Sequence, residues 1–474
     1  MDQNQFAAIQ NRRRFFRTCA GGIGTIALFH LLEKEGRAGN GTLRKPHFPP
    51  RAKNVIFLFM AGAPSQLDLF EYKPALKKYD GQPIPDSMRQ ALVDDFKKNA
   101  RIMATPRQFQ PYGQSGIYFS DLLPHTGSCA DDLCMIHSLH TDITNHHPAQ
   151  LLMNCGSTMF GRPSMGSWVT YGLGSESQDL PGFVVLTSSS GLGIEGGASN
   201  WSSGFLPSNY RGVTFRSSGD PVLYLSNPPG VTGETQRLRL DALRDINSQH
   251  QADTGDAEIA YRIAAYELAF RMQTATPELV DLSKETAETR ALYGLDSEQT
   301  RAFGTNCLLA RRMVERGVRF VQLYHSSWDD HSDLNAKIKK NCSMVDQPTA
   351  ALLKDLKGRG LLDSTLVIWG GEFGRTPMNE VRLASPDPGK EGRDHHALAF
   401  TMWMAGGGIR GGQVVGKTDD IGFHAVEDRM HVHDLQATIL YCLGLDHERL
   451  TYRHQGRDFR LTDVSGQVMK KLLA

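Results

Sequence analysis

The sequence predicts an α/β protein, a three-layer αβα sandwich built around a doubly wound, mostly parallel sheet. Two observations carry this. Apolar runs of strand length recur along the chain, and amphipathic helical stretches closed by glycine lie between them. The runs fall at residues 55–60 (VIFLFM), 318–324 (VRFVQLY), 366–369 (LVIW) and 398–404 (LAFTMWM). Unbroken apolar segments this short fit strands covered on both faces. The helices are expected near 305–316, stopped by Gly317, and near 344–357, stopped by Gly358. Residues 195–300 break the rhythm with a Gly/Ser/Pro/Asn-rich stretch followed by a polar helical region, which reads as an insertion or cap.

The 474 residues, 40% of them hydrophobic, are enough to bury a large core, and 52 basic against 51 acidic side chains leave no electrostatic footprint for nucleic acid. Seven cysteines without a CxxC pair argue against a disulfide scaffold or a zinc knuckle; Cys129 and Cys134 are the only close couple. Near the start, Arg12 and Arg13 precede the stretch TCAGGIGTIALFHLL, too short and glycine-rich to span a bilayer. Residues 1–40 therefore read as a twin-arginine signal and linker, which predicts export to the periplasm or beyond. No other segment has the length and apolarity of a membrane span.

Polar residues gather where the strands end, and in open α/β sheets ligands bind beyond the carboxyl ends of the strands. Those ends read AGAPSQLDLF, HSSWDDHSD and GGEFGRTP, while GRDHHALAF leads into the last run. Asp68, Asp329, His331, Glu372, Asp394, His395 and His396 form a mixed carboxylate and imidazole set. Such a set suits one or two divalent ions, whether zinc, manganese, calcium or magnesium. Arg375, three residues after Glu372, offers a planar fork for phosphate or sulfate oxygens. Ser65 and the AGAPS backbone form a candidate anion nest. Asn145, His146 and His147 precede a helix expected to begin near Pro148, where His146 reads either as a functional group or as a cap.

The segments KNVIFLFMAGAPSQLDLFEYKP, NHHPAQLLMN, WDDHSD, WGGEFGRTP, GRDHHA and HDLQATILYCLGLDHE together resemble the DUF1501 proteins, a sulfatase-like family in the alkaline phosphatase superfamily, over about residues 50–465. The resemblance implies hydrolysis of a small anionic ester, such as a sulfated or phosphorylated saccharide. It also implies that His396 is the last metal histidine and that WDDH supplies an Asp and a His to a metal. There are departures. Ala61-Gly62 stands where the superfamily places Asp-Gly, leaving Asp68 as the nearest carboxylate, and Phe373 stands where a histidine is usual. Overlaying HHPAQLLMNCG on the sulfatase-type run puts His146 at the nucleophile position, without a hydroxyl or thiol. His146 is then a covalent nucleophile, a metal ligand or a general acid-base, with Thr144 as a displaced nucleophile and Asn145 as a polar donor beside it. His147, Ser65 and Arg375 are the expected substrate contacts. The competing expectation is a binding or scaffold protein that keeps the fold and one metal without turnover.

Overall fold

A computed structural model describes residues 45–89, 99–188, 193–216, 221–223, 225–381 and 389–474. The expected twin-arginine segment lies outside the described residues. Nine strands form the central sheet: β1 (Asn54–Met60), β2 (Leu133–His140), β3 (Phe183–Thr187), β4 (Val213–Phe215), β5 (Phe320–His325), β6 (Thr365–Gly370), β9 (Phe400–Ala405), β10 (Gln413–Val415) and β11 (Met430–His431). A separate hairpin supplies β7 (Gly374–Asn379) and β8 (Arg393–His396). The sheet order is β10-β2-β9-β6-β1-β5-β3-β4, with β11 also on β2. All neighbours are parallel except at β9, which runs against both β2 and β6.

The unbroken apolar run of β1 has its reason in the two layers that cover it. Ile56, Leu58 and Met60 share one core with α5 (Glu298–Glu315) and α6 (Leu334–Gly358). The alternate residues Val55, Phe57 and Phe59 share the other with α1 (His146–Cys155), α2 (Met165–Leu173) and α7 (Val432–Cys442). Successive side chains of a strand face opposite ways, so each β1 residue meets a helix layer.

Both helices end at the expected glycines but start earlier than expected, at Glu298 rather than near residue 305 and at Leu334 rather than near residue 344. In α6 the added turns bury Leu334, Ile338 and Cys342 at helical spacing, and the helix passes through Pro348. Between β4 and α5 lie the long helices α3 (Gly233–Thr254) and α4 (Ala257–Val280), packed as a hairpin and tied by Arg237 to Glu267. Cysteines 129, 134, 155, 307, 342 and 442 are free and buried. No described helix is long and apolar enough to cross a membrane.

The register brings the strand ends together. Met60 pairs with His325 and Phe59 with Gly370, so the segments after β1, β5 and β6 emerge side by side. Because β9 is antiparallel, the residues before it arrive at the same edge, and Phe400 lies opposite Leu139 near the end of β2. The β7–β8 hairpin sets His395 opposite Arg375.

Candidate metal centre

His146, Asp329, His331 and His395 place one ligand atom each within 4.8 Å of all the others. Asp329 Oδ1 lies 3.2 Å from His146 Nε2, 2.9 Å from His331 Nε2 and 3.2 Å from His395 Nε2. His331 Nε2 and His395 Nε2 are 2.9 Å apart. A tetrahedral ion with bonds of about 2.0–2.1 Å holds its ligand atoms roughly 3.3 Å apart, so the spacing suits four ligands around one small cation.

What faces the other ring nitrogens decides the tautomers. His146 Nδ1 lies 2.6 Å from Glu372 Oε1, His331 Nδ1 2.6 Å from Glu380 Oε2, and His395 Nδ1 2.6 Å from the carbonyl oxygen of Thr144. Each acceptor calls for the proton on Nδ1, which turns three Nε2 lone pairs inward, as in carboxylate–histidine–metal arrangements. His146 Nε2 is buried and lies 3.2 Å from Asp329 Oδ1. The donor set therefore fits a divalent ion.

The charges respond accordingly. Burial works against protonation of His146, but its hydrogen bonds to Asp329 and Glu372 outweigh this and raise its pKa to about 9. Burial also opposes ionisation of Asp329, yet hydrogen bonds from His146, His331 and His395 and the Arg375 charge hold its carboxyl well below the usual range. The side chain of Asp329 is 45% exposed while those of the histidines are 8–15% exposed, so the cluster meets solvent through Asp329.

Local backbone geometry builds the floor. Gly62 has φ +109°, and a Cβ there would lie 2.6 Å from the Asp329 nitrogen, so only glycine lets the turn after β1 approach the Asp329 loop. Its N–H donates to Glu372 Oε1, which also accepts from Gln150 Nε2. Ala63 and Ser327 take positive φ on either side, the strained kind of backbone that gathers at functional sites.

The remaining predicted residues lie around this cluster. Glu372 is fully buried and holds His146 from behind. Asp394 Oδ1 is 3.8 Å from His331 Nδ1, on the Glu380 side of that ring. His396 faces away: its Nε2 lies 2.6 Å from the Phe423 carbonyl, and burial lowers its pKa to about 4. Adjacent residues on a strand diverge, so the hairpin presents His395 and not His396. Asp68 is buried outside the four-residue cluster, pairing with Arg393 at 2.8 Å and accepting from the Ser65 hydroxyl. That contact directs the Ser65 hydroxyl to a carboxylate rather than to an anion nest. Thr144 contributes its carbonyl, Asn145 is the N-cap residue of α1 without a side-chain cap bond, and the His147 ring packs on Phe160.

Arg375 is also repositioned. It is 1% exposed, and its guanidinium donates to the carbonyls of Ala63, Arg393 and Gly62 and to Asp329 Oδ1. Its fork is engaged inside the protein, holding Asp329 in place. Two residues escaped the sequence reading. Gln150 had a signal, since it is the polar residue one helical turn after His146 in an otherwise apolar run. Glu380 had none beyond being an acid just past β7.

Fold and site together define an α/β protein with a three-histidine, one-aspartate cluster at the carboxyl edge of its sheet. The chain belongs to the family described as protein of unknown function (DUF1501), which it matches over residues 52–473. No curated protein matches the chain. Among solved structures it is similar to the PsFucS1 sulfatase from Pseudoalteromonas sp., at 12% identity and a TM-score of 0.37, covering 95% of this chain and 75% of that one. It is similar at 8% identity and a TM-score of 0.37 to the lipoteichoic acid synthase LtaP from Listeria monocytogenes, covering 89% and 78%. A TAB5 alkaline phosphatase mutant with Mg bound in its M3 site follows at 12% identity and a TM-score of 0.34, covering 85% and 99%.

Proposed function

We propose that this chain is an exported metal-dependent hydrolase of small phosphate or sulfate esters, including phosphorylated or sulfated saccharides. The observation that supports it is the inward turn of three Nε2 atoms onto Asp329, each ring backed at Nδ1 by an acceptor. His146, His331, His395 and Asp329 would hold the ion. Three nitrogens and one oxygen favour zinc or manganese over calcium or magnesium, which prefer oxygen. A divalent ion at this point supplies Lewis acidity toward an ester oxygen.

The chain's own residues set the conditions for that chemistry. Glu372, Glu380 and the Thr144 carbonyl keep the imidazole protons on Nδ1, and Arg375 fixes Asp329 from inside the fold. In this reading His146 is a ligand rather than a covalent nucleophile, because both of its nitrogens face carboxylates. A non-catalytic metal-binding role is the second reading, favoured by the engaged Arg375 fork, which leaves the substrate anion without that partner.

The test is metal analysis of the full chain recovered by its native export route, with hydrolysis of p-nitrophenyl phosphate and p-nitrophenyl sulfate measured before and after chelation. The expected result is bound zinc or manganese and ester hydrolysis that chelation removes and the metal restores. Metal without hydrolysis of either ester supports the second reading; no bound metal overturns both.

A further inference from the structure

The segment between α1 and α2 carries an arginine that the fold leaves without an anion. The guanidinium of half-buried Arg162 lies over the Phe459 ring at 4.3 Å, and that of Arg457 lies over the same ring at 4.8 Å. Two cations are thus held less than a Debye length apart, about 10 Å at 0.1 M salt. Phe459 belongs to a hairpin of β12 (Tyr452–His454) and β13 (Arg457–Phe459). The arginines of that hairpin and just beyond it are matched: Arg453 by Asp458 at 3.0 Å, Arg457 by Asp463, and Arg460 by Glu448 at 3.4 Å. Among the described residues no carboxylate comes within ion-pair distance of Arg162, and Asp463, which acts on it at longer range, is taken by Arg457.

A ring face attracts a guanidinium but leaves its N–H fork without acceptors. Burial lowers the Arg162 pKa, Asp463 works against this and Arg457 adds to it, so the cation gains from an anion placed beside it. Its backbone is fixed in advance. Gly204 has φ +53°, and a Cβ there would lie 2.5 Å from the Arg162 carbonyl carbon, while the Ser164 N–H donates to the Ser202 carbonyl at 3.0 Å. A guanidinium held by backbone and ring, with its fork open, is preorganised for the oxygens of sulfate or phosphate. Two residues before it, Phe160 is 60% exposed and its ring packs on His147 at 4.8 Å. His147 follows the cluster residue His146, so this apolar face stands between Arg162 and the metal centre in the chain of contacts.

We propose that Arg162, backed by Arg457, binds a sulfate or phosphate group on a saccharide whose ring lies against Phe160. The proposal rests on the hydrolase reading only in taking that saccharide for the substrate; the anion site itself is separate from the metal ion.

Calorimetric titration of the full chain with a glucose 6-sulfonate, which has no ester to hydrolyse, tests it before and after chelation. Inorganic sulfate and glucose are titrated beside it, and circular dichroism confirms that each variant is folded. The expected result is one site per chain that survives chelation, with glucose alone binding at least tenfold more weakly. Arg162→Gln should weaken the sulfonate by roughly tenfold or more, the loss of one charged hydrogen-bond partner. Phe160→Ala should weaken the sulfonate but not inorganic sulfate, and Arg453→Gln, on the same hairpin, should change neither. No binding, binding that chelation removes, or binding indifferent to Arg162→Gln overturns the site. Inorganic sulfate binding as tightly as the sugar sulfonate overturns the saccharide assignment. Binding that meets these expectations in a chain that hydrolyses no ester upholds the anion site and counts against the hydrolase reading alone.

Discussion

Glu372 Oε1 lies 2.6 Å from His146 Nδ1, and the same oxygen accepts from the Gly62 N–H and from Gln150 Nε2, both at 3.0 Å. One buried carboxylate oxygen thus joins the segment after β6 to the turn after β1 and to the first turns of α1. Groups that orient a metal-binding imidazole in this way typically contribute 10–100-fold to metal affinity. Glu372→Gln keeps the shape, and its amide oxygen can still accept from His146, but it removes the negative charge that makes the imidazole a stronger ligand. Zinc affinity, measured by competition with a chelator, is expected to fall by that factor. An unchanged affinity would detach Glu372 from the site.

The second prediction concerns His146 in the metal-free protein. Its folded pKa of about 9 exceeds the ordinary 6.5, burial being outweighed by hydrogen bonds to Asp329 and Glu372. A raised pKa contributes stability that is complete below pH 6.5 and is lost as pH climbs through 9. The loss is at most about 3 kcal/mol at 1.36 kcal/mol per pKa unit. The melting temperature of the metal-free chain should therefore decline between pH 6.5 and 9, while zinc affinity rises across the same window because the proton competes for Nε2. His146→Asn should flatten the first trend. A melting temperature level across that window in the unsubstituted protein would contradict the assignment.

Asp330, next to the cluster residue Asp329, behaves in the opposite sense to a paired carboxylate. Burial pushes its pKa up to about 7, only partly offset by Arg375 and Lys337. Stability associated with its neutral form is complete below pH 3.8 and is lost as pH rises through 7. Asp330→Asn should then raise the melting temperature at pH 8 relative to the unsubstituted chain and leave the difference small at pH 4. Zinc content should stay unchanged. Thermal scans at the two pH values check the first point and metal analysis the second.

Much of the fold was legible because β1, β5, β6 and β9 are buried on both faces and so appear as unbroken apolar runs. The strand β2 was missed: its sequence LCMIHSLH mixes histidines and serine into the apolar residues, and no local pattern reveals that it lies between β9 and β10. Within the site, Asp329, His331 and His395 were readable from their place beside strand ends. The choice between His395 and His396 was not, because it depends on the bulged register of the β7–β8 hairpin. Asp68 was chosen as the carboxylate nearest the end of β1, and Arg375 as a fork for substrate oxygens three residues after Glu372. Their pairing with Arg393 and Asp329 spans 325 and 46 residues of sequence, and only the folded chain brings these groups together.

Arg375 supplies the last prediction, since its position separates a structural role from contact with substrate. Its Nε bonds the Ala63 carbonyl at 3.0 Å, Nη1 the Arg393 carbonyl at 3.1 Å, and Nη2 both the Gly62 carbonyl and Asp329 Oδ1 at 2.5 and 2.6 Å. A lysine cannot reproduce that fork: its single ammonium would satisfy some of these acceptors and leave the others buried without a donor. Each unsatisfied buried group costs about 1–3 kcal/mol, so Arg375→Lys should lower stability by roughly 3 kcal/mol, read as a fall in melting temperature. Zinc affinity should drop with it, because Asp329 loses the contact that fixes its carboxylate. If the chain turns over p-nitrophenyl phosphate or sulfate, KM should change less than kcat. A direct contact with the substrate anion would give the reverse pattern, with KM raised at least tenfold while melting temperature and metal content stay as they were.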